Sequence, residues 1–204
     1  MRSVPAQRGG RARLSPEVRR GQILDAAEAL LMSHGGLPLP LDDLARSAQV
    51  SKALIYAYFP TQHDLANALL ARRFAALLSA GLEDASARPE LFDAAQACAE
   101  LYFEEVAQTG PVAHIVLRDP FMAGRIDPDI AAIRDRIARR LARAARRGLR
   151  LSPKEAVAAL SLMTTIPEEA GRLVHAGDLS LGRGRELNRR LIASSLRALT
   201  PDQA

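Results

Sequence analysis

At 204 residues the chain has room for one compact unit or two small domains, and a composition 48% hydrophobic with few aromatics suits a helical protein rich in alanine and leucine. A single cysteine, Cys98, excludes an intrachain disulfide and fits a reducing compartment; it reads as a small core residue, with a redox-sensing thiol the lesser option. No stretch offers the roughly eighteen uninterrupted apolar residues of a membrane span, and the first residues lack the apolar core of a signal peptide, so the expected location is the cytoplasm with no membrane partner.

The formal net charge of +5 sits at one end. Residues 1–20 hold Arg2, Arg8, Arg11, Arg13, Arg19 and Arg20 against the one acid Glu17; the 184 residues that follow are left with 22 basic and 22 acidic groups. A segment such as Arg-Gly-Gly-Arg-Ala-Arg at 8–13 cannot bury a core. Residues 1–14 therefore read as a basic arm, whose Arg11 and Arg13 can follow a phosphate backbone or enter a narrow minor groove; a solvated tail without a role has the same composition.

Ser15-Pro16 supplies a cap and a first-turn proline for the first helix, which runs through Ile23, Leu24, Ala27 and Leu31 to a stop at His34-Gly35. Next, Leu41, Leu44, Ala45 and Ala48 recur at the interval of one helix face, with Asp42, Asp43, Arg46 and Ser47 on the other. After the lone apolar Val50, Ser51 is a good N-cap for a third helix that starts at Lys52. Leu54, Ile55, Tyr58 and Phe59 are its apolar positions, and Lys52, Ala53, Tyr56 and Ala57 look outward. That outward face is poor for solvent and suits a groove: small side chains let the helix axis approach base edges, alanine can touch a thymine methyl, and lysine and tyrosine can hold phosphates. The free N–H groups of its first turn add a phosphate contact. The pattern predicts a DNA-binding helix-turn-helix, although an ordinary helical hairpin with a few exposed apolar residues shares the two-helix spacing.

The run at 50–60, VSKALIYAYFP, preceded by Asp43-Leu44-Ala45 and followed by Asp64-Leu65, resembles the N-terminal domain of the TetR family of bacterial transcriptional repressors. The first helix, with Ile23-Leu24-Asp25-Ala26-Ala27 and the stop at Gly35, matches as well, so the resemblance covers about residues 19 to 70. It implies a homodimer that binds a palindromic double-stranded DNA operator and is released by a small-molecule effector; activation in place of repression, or control by a protein partner or by abundance, stays open. The implied DNA-binding residues are Ser51, Lys52, Ala53, Leu54, Tyr56, Ala57, Tyr58 and Gln62, joined by Arg11 and Arg13 of the arm. Several positions depart from the family pattern. Gln49 stands where glycine is usual in the turn, which predicts a positive backbone angle there. Leu54, Ala57, Gln62 and Pro40 replace residues that commonly contact DNA, so specificity would lean on apolar base contacts and affinity on the arm.

Thr61 caps a fourth helix that runs through Leu65, Leu69, Phe74 and Leu78 toward Gly81. A helix over 91–108 ends at Gly110-Pro111, a short apolar segment follows at 112–117, and Asp119-Pro120 with Gly124 make 119–126 a loop. Asp127-Pro128 opens a helix to about residue 147, and Ser152-Pro153-Lys154-Glu155 is a capping box for another. Pro167 should kink or divide that helix, and Gly182 and Gly184 should precede a last helix over 185–199. The fold class is all-α with about nine helices, a helix-turn-helix domain over 15–60 and a helical regulatory and dimerisation domain over 61–204.

Eight arginines and one aspartate fall at 134–150, but Ile130, Ile133, Ile137, Ala138 and Leu141 stripe the same helix, so the arginines read as its solvated face. Tyr102, Phe103, His114, Phe121, Met122 and Met163 are the candidate effector-binding residues, with Glu168 and Glu169 possible partners for a polar or cationic effector. Ala156, Ala159, Leu160 and Met163, with Leu187, Leu191, Ser194, Ser195 and Ala198, offer faces for a two-fold four-helix dimer bundle. No catalytic function, metal or cofactor is expected: His34, His63, His114 and His175 are scattered without metal spacing, there is no phosphate loop, and no serine or cysteine lies beside a plausible base.

Overall fold

A computed structural model describes residues 15–200, which form ten α-helices and one 3-10 turn. The basic arm with Arg11 and Arg13 lies outside the described residues.

The N-terminal helices are α1 (Pro16–His34), α2 (Leu41–Ser47), α3 (Lys52–Tyr58) and α4 (Gln62–Ser79). Each boundary has a local cause. Ser15 caps α1 by accepting from the Val18 amide at 3.3 Å, and Gly35 ends it in the left-handed region at φ 81°. Thr61 and Asp64 form a reciprocal capping box on α4. Ile23, Leu24, Ala27 and Leu31 of α1 pack with Leu44, Ile55 and Phe59 and with Leu65 and Leu69 of α4. The same core continues into Val112, Val116, Met122 and Ile130, so it crosses residue 60 without a linker.

Helix α5 (Leu82–Ser86) is absent from the sequence pattern and raises the count above nine. Five residues are too few to display a period, and the segment is set by Gly81 in the left-handed region at φ 98°. The C-terminal half continues with α6 (Leu91–Thr109), α7 (Val112–Arg118), the 3-10 turn (Pro120–Met122), α8 (Pro128–Gly148), α9 (Pro153–His175) and α10 (Leu181–Leu199). Helix α6 packs mainly on α9 and α10, and α8 lies against α9. A second core joins Leu91, Ala95 and Ala99 to Ala144, Ala145, Ala156, Met163, Ile192 and Leu196.

Three local expectations need correction. Pro167 does not divide α9, which is continuous through it; the proline is buried, and packing against α6, α8 and α10 holds both flanking turns although one backbone donor is lost. The last helix starts at Leu181 rather than after Gly184, because Ser180 caps it by accepting from the Arg183 amide at 3.3 Å. Gly184 belongs to the helix and is buried there: a Cβ on it would sit 3.1 Å from the Phe103 ring and closer still to Val174, so glycine is required for the contact of α10 with α6 and α9. On α8, Ala138 is exposed, and Ala144 and Ala145 carry the buried face instead. Among the described residues no helix is long and apolar enough to cross a membrane.

Candidate nucleic-acid interface

Helices α2 and α3 meet through a turn in which Gln49 adopts φ 53°, the left-handed conformation expected where glycine is replaced. The turn is closed by backbone bonds from Gln49 to Arg46 at 3.2 Å and from Val50 to Ala45 at 3.0 Å. Ser51 then caps α3, its hydroxyl accepting from the Leu54 amide at 3.1 Å. Ile55 and Phe59 are 1% and 3% exposed, and they anchor the helix to the core one turn apart. The Arg20 guanidinium lies 5.2 Å from the centroid of the Phe59 ring and ties α1 to that anchor.

The opposite side of α3 is open. Ser51, Lys52, Ala53, Tyr56 and Ala57 are exposed, and Leu54 and Tyr58 are half-buried at the margins. Tyr56, at 46% exposure, is one of the few large aromatic surfaces turned outward. The Lys52 ammonium is held 2.6 Å from the Asp42 carboxylate of α2, which orients it in the free chain and which a phosphate would have to outcompete. Gln62 has a different place from the one expected: its amide oxygen accepts from the Leu39 amide at 3.1 Å and its nitrogen donates to the Leu39 carbonyl at 2.6 Å. The side chain clips the segment before α2 to the start of α4, using its amide oxygen and one of its two N–H groups.

A family model for "Bacterial regulatory proteins, tetR family" matches residues 23–69, from the interior of α1 to α4. Over those residues the chain is similar to the N-terminal domain of the TetR family. A curated relative, the HTH-type transcriptional regulator LuxR of Vibrio harveyi, is 33% identical over 99 residues, a match that spans 47% of this chain and 48% of that protein. Among solved structures, a TetR-like transcriptional regulator from Rhodococcus sp. RHA1 aligns with a TM-score of 0.66 at 20% identity, over 91% of this chain and 99% of the other. The TetR family transcriptional regulator PfmR from Thermus thermophilus aligns at 0.64 and 20% identity, over 86% and 97% of the two chains. The fatty acid degradation regulator FadR from Bacillus halodurans aligns at 0.63 and 15% identity, over 94% and 98%. At these identities the structural likeness is one of fold, and it extends through the C-terminal half that the family model does not reach.

The six effector candidates do not converge on one place. Phe103 is wholly buried against Gly184, Met122 lies in the N-terminal core, and Phe121 stacks on His63 of α4 at 4.2 Å between centroids. Met163 rims an open apolar groove of about 510 Å³ with Ala159, Leu162, Ile166 and Leu199. Only Tyr102 and His114 come together, and they do so on Glu168. One oxygen of that carboxylate accepts from the Tyr102 hydroxyl at 3.2 Å and lies 2.6 Å from His114 Nδ1, so α6, α7 and α9 meet at a single polar point. Burial, followed by the neighbouring Glu168 charge, pushes the Tyr102 phenol far above its ordinary value, so it stays protonated and donates to Glu168. Glu169 points elsewhere and pairs with Arg172 at 2.6 Å. Cys98 is buried, and burial pushes its thiol up to about 11, which leaves it a small core side chain.

A buried ion network lies outside anything the sequence pattern singles out. Arg73, 6% exposed, reaches Glu28 of α1 at 3.2 Å and Glu105 of α6 at 3.4 Å, and the Thr109 hydroxyl donates to Glu105 at 2.9 Å. Burial raises the pKa of both carboxylates against the lowering charge of Arg73. One signal does point to it: Arg73 lies four residues from both Leu69 and Leu77, inside the apolar stripe of α4.

Proposed function

We propose that the protein is a homodimeric, ligand-responsive transcriptional repressor that reads a palindromic operator with α3. The observation that carries the reading is the outward face of α3, where Lys52, Ala53, Tyr56 and Ala57 stand exposed on a helix anchored from behind by Ile55 and Phe59. Small side chains there permit close approach to base edges, with Lys52 and Tyr56 at the margins for phosphates. Arg11 and Arg13 of the arm supply further phosphate contacts.

Two reading heads must be held one helical turn of DNA apart, roughly 34–36 Å, and a dimer supplies that spacing. The exposed faces of α9 and α10 favour it: Leu162 is 71% exposed and Leu191 49%, beside the groove of Ala158, Ala159, Ile166 and Leu199. Ala156 and Met163 are already buried within the subunit, so the dimer face is centred on Leu162 and Leu191. The effector acts at the Tyr102–Glu168–His114 junction. A ligand that takes over the Glu168 carboxylate separates α7 from α9, and α7 packs directly on α4, the helix leading to the reading head. By linkage, operator and effector then weaken each other's binding by the same factor. A regulator without a small effector is the second reading, favoured by Phe103 and Met122 being solid core.

Selection of bound genomic fragments tests the proposal. One enriched palindrome is expected, with Lys52→Ala and Tyr56→Ala each weakening its binding by about tenfold or more, the loss of one good contact. Binding that tolerates both substitutions removes α3 from the interface, and a monomer in sedimentation at micromolar concentration removes the dimer.

A further inference from the structure

The eight arginines at 134–150 divide into two sets on α8 and just beyond it. Arg134 pairs with the adjacent Asp135 at 3.4 Å, and Arg136 and Arg140 share Glu83 of α5 at 2.9 and 3.4 Å. Arg139, Arg143, Arg146, Arg147 and Arg150 are exposed, and none of them meets a carboxylate among the described residues. At about 100° per residue, Arg139, Arg143, Arg146 and Arg147 fall within an arc of about 100°, and they extend about 12 Å along the axis. They form one straight ridge of guanidinium groups.

The ridge costs the helix something, since the pairs 139/143, 143/146 and 143/147 are like charges at neighbouring positions. The dipole of the helix C-terminus favours cations near its last turn but reaches no further than that turn. A polyanion offsets the repulsion over the whole ridge. None of the large exposed hydrophobic side chains of the described residues lies on α8, so the ridge lacks the apolar anchor of a protein interface and the inserting residues of a membrane-surface helix. It also lacks an aromatic on which an unpaired base would stack. What remains is a row of bidentate phosphate donors, which fits the backbone of a duplex.

This duplex is not the one under α3. Helix α8 touches the N-terminal core at Ile130, and Arg139 to Arg147 lie about 13 to 25 Å further along its axis. We propose that the α8 ridge holds the phosphate backbone of a second DNA duplex, so that one protein bridges the segment read by α3 and another, in a sequence-independent way.

The test uses the full chain, immobilised through a terminal tag, and a fluorescent duplex of arbitrary sequence, with saturating operator added once an operator is in hand. Capture of the arbitrary duplex is expected, and the ridge's share of its log–log salt slope is about −3 to −4 for four phosphates neutralised. The variant R143Q/R146Q/R147Q keeps the arm and α3; it should lose capture by about tenfold or more and flatten the slope by about 3, with operator affinity unchanged within about twofold. Equal capture by the variant and the parent overturns the proposal, as does tighter binding of the parent to vesicles of anionic phospholipid than to the duplex. Because capture is read with or without operator, failure to find an operator would break the reading of α3 and leave this result standing.

Discussion

From α1 to α4 the core is made of large aliphatic side chains at ordinary helical spacing, whereas α6, α9 and α10 approach one another through alanines and two buried glycines. Between the two lies the Glu28–Arg73–Glu105 network, in which one guanidinium joins α1, α4 and α6. The N-terminal domain is therefore stabilised by its own side chains, the C-terminal half by close backbone approach, and their joint by largely buried charge. Steps that move α6 relative to α4 have to disturb that joint. The comparison is most sharply broken there.

Arg73→Met should destabilise the fold by about 3–5 kcal/mol, because it leaves Glu105 buried without its counter-charge and leaves Glu28 only the more distant Arg72, 3.7 Å away. The neighbouring Arg72→Met removes a half-exposed partner of Asp25 and should cost under about 1 kcal/mol. Chemical denaturation of the two variants checks the contrast; equal losses would mean that the network contributes no more than a surface pair.

The glycines separate the two halves next. Gly184→Ala forces a methyl against Phe103 and Val174 and should cost about 1–3 kcal/mol. Gly21, inside α1, has nothing within 4 Å of the place a Cβ would take, so Gly21→Ala should stabilise by about 0.5–1 kcal/mol through helix propensity alone. Opposite signs in thermal melts are the expected result, and a stabilising Gly184→Ala would remove the close approach of α10 to α6 as a requirement of the fold.

Those two glycines also mark what can be read from the sequence. The N-terminal domain is legible almost to the residue, because its boundaries are local chemistry: Ser15 and Ser51 caps, the Gly35 stop, the Thr61 capping box and a left-handed Gln49. The start of α10 escapes the pattern because a buried glycine and a loop glycine look alike until the opposing Phe103 ring is placed. The polar junction is half visible. Tyr102, His114 and Glu168 each stand out, but residues 12 to 66 positions apart on three different helices share no period, and only packing of α6, α7 and α9 brings them to one carboxylate. The clip of Gln62 onto the Leu39 backbone leaves no trace in side-chain pattern.

Within the reading domain, Ser51→Ala should cost about 1 kcal/mol of stability by freeing the Leu54 amide, and it should weaken operator binding by loosening the start of α3. Ser51→Asp restores a cap acceptor but brings a negative charge toward phosphates, so it should recover the stability and not the binding. Melting and a gel-shift titration on the same two variants separate the roles; joint recovery would mean that Ser51 acts on DNA only through the fold.

The smallest effect is one of pH, and it returns to the joint. Burial is the largest influence on Glu105 and raises its pKa above the ordinary 4.5, against the Thr109 hydrogen bond and the Arg73 charge. A carboxyl with a raised folded-state pKa holds more protons when folded than unfolded, so its stabilising contribution is complete below about 4.5 and is lost as pH climbs through the folded value. Glu105→Gln abolishes that titration. The stability of the parent relative to the variant should therefore be greatest at the acid end and decline as pH rises above about 4.5. Glu155, Glu169 and Glu186, whose pKa values are lowered by bonds to Ser152, Arg172 and Arg183, act with the opposite sign, but both proteins carry them and the difference cancels them. Glu28, raised by the same burial and facing the same guanidinium, responds to the substitution because Arg73 is then shared with one acid instead of two. A flat difference across that range would show that Arg73 compensates the burial of Glu105 in full, and would leave the joint an ordinary ion pair instead of a strained one.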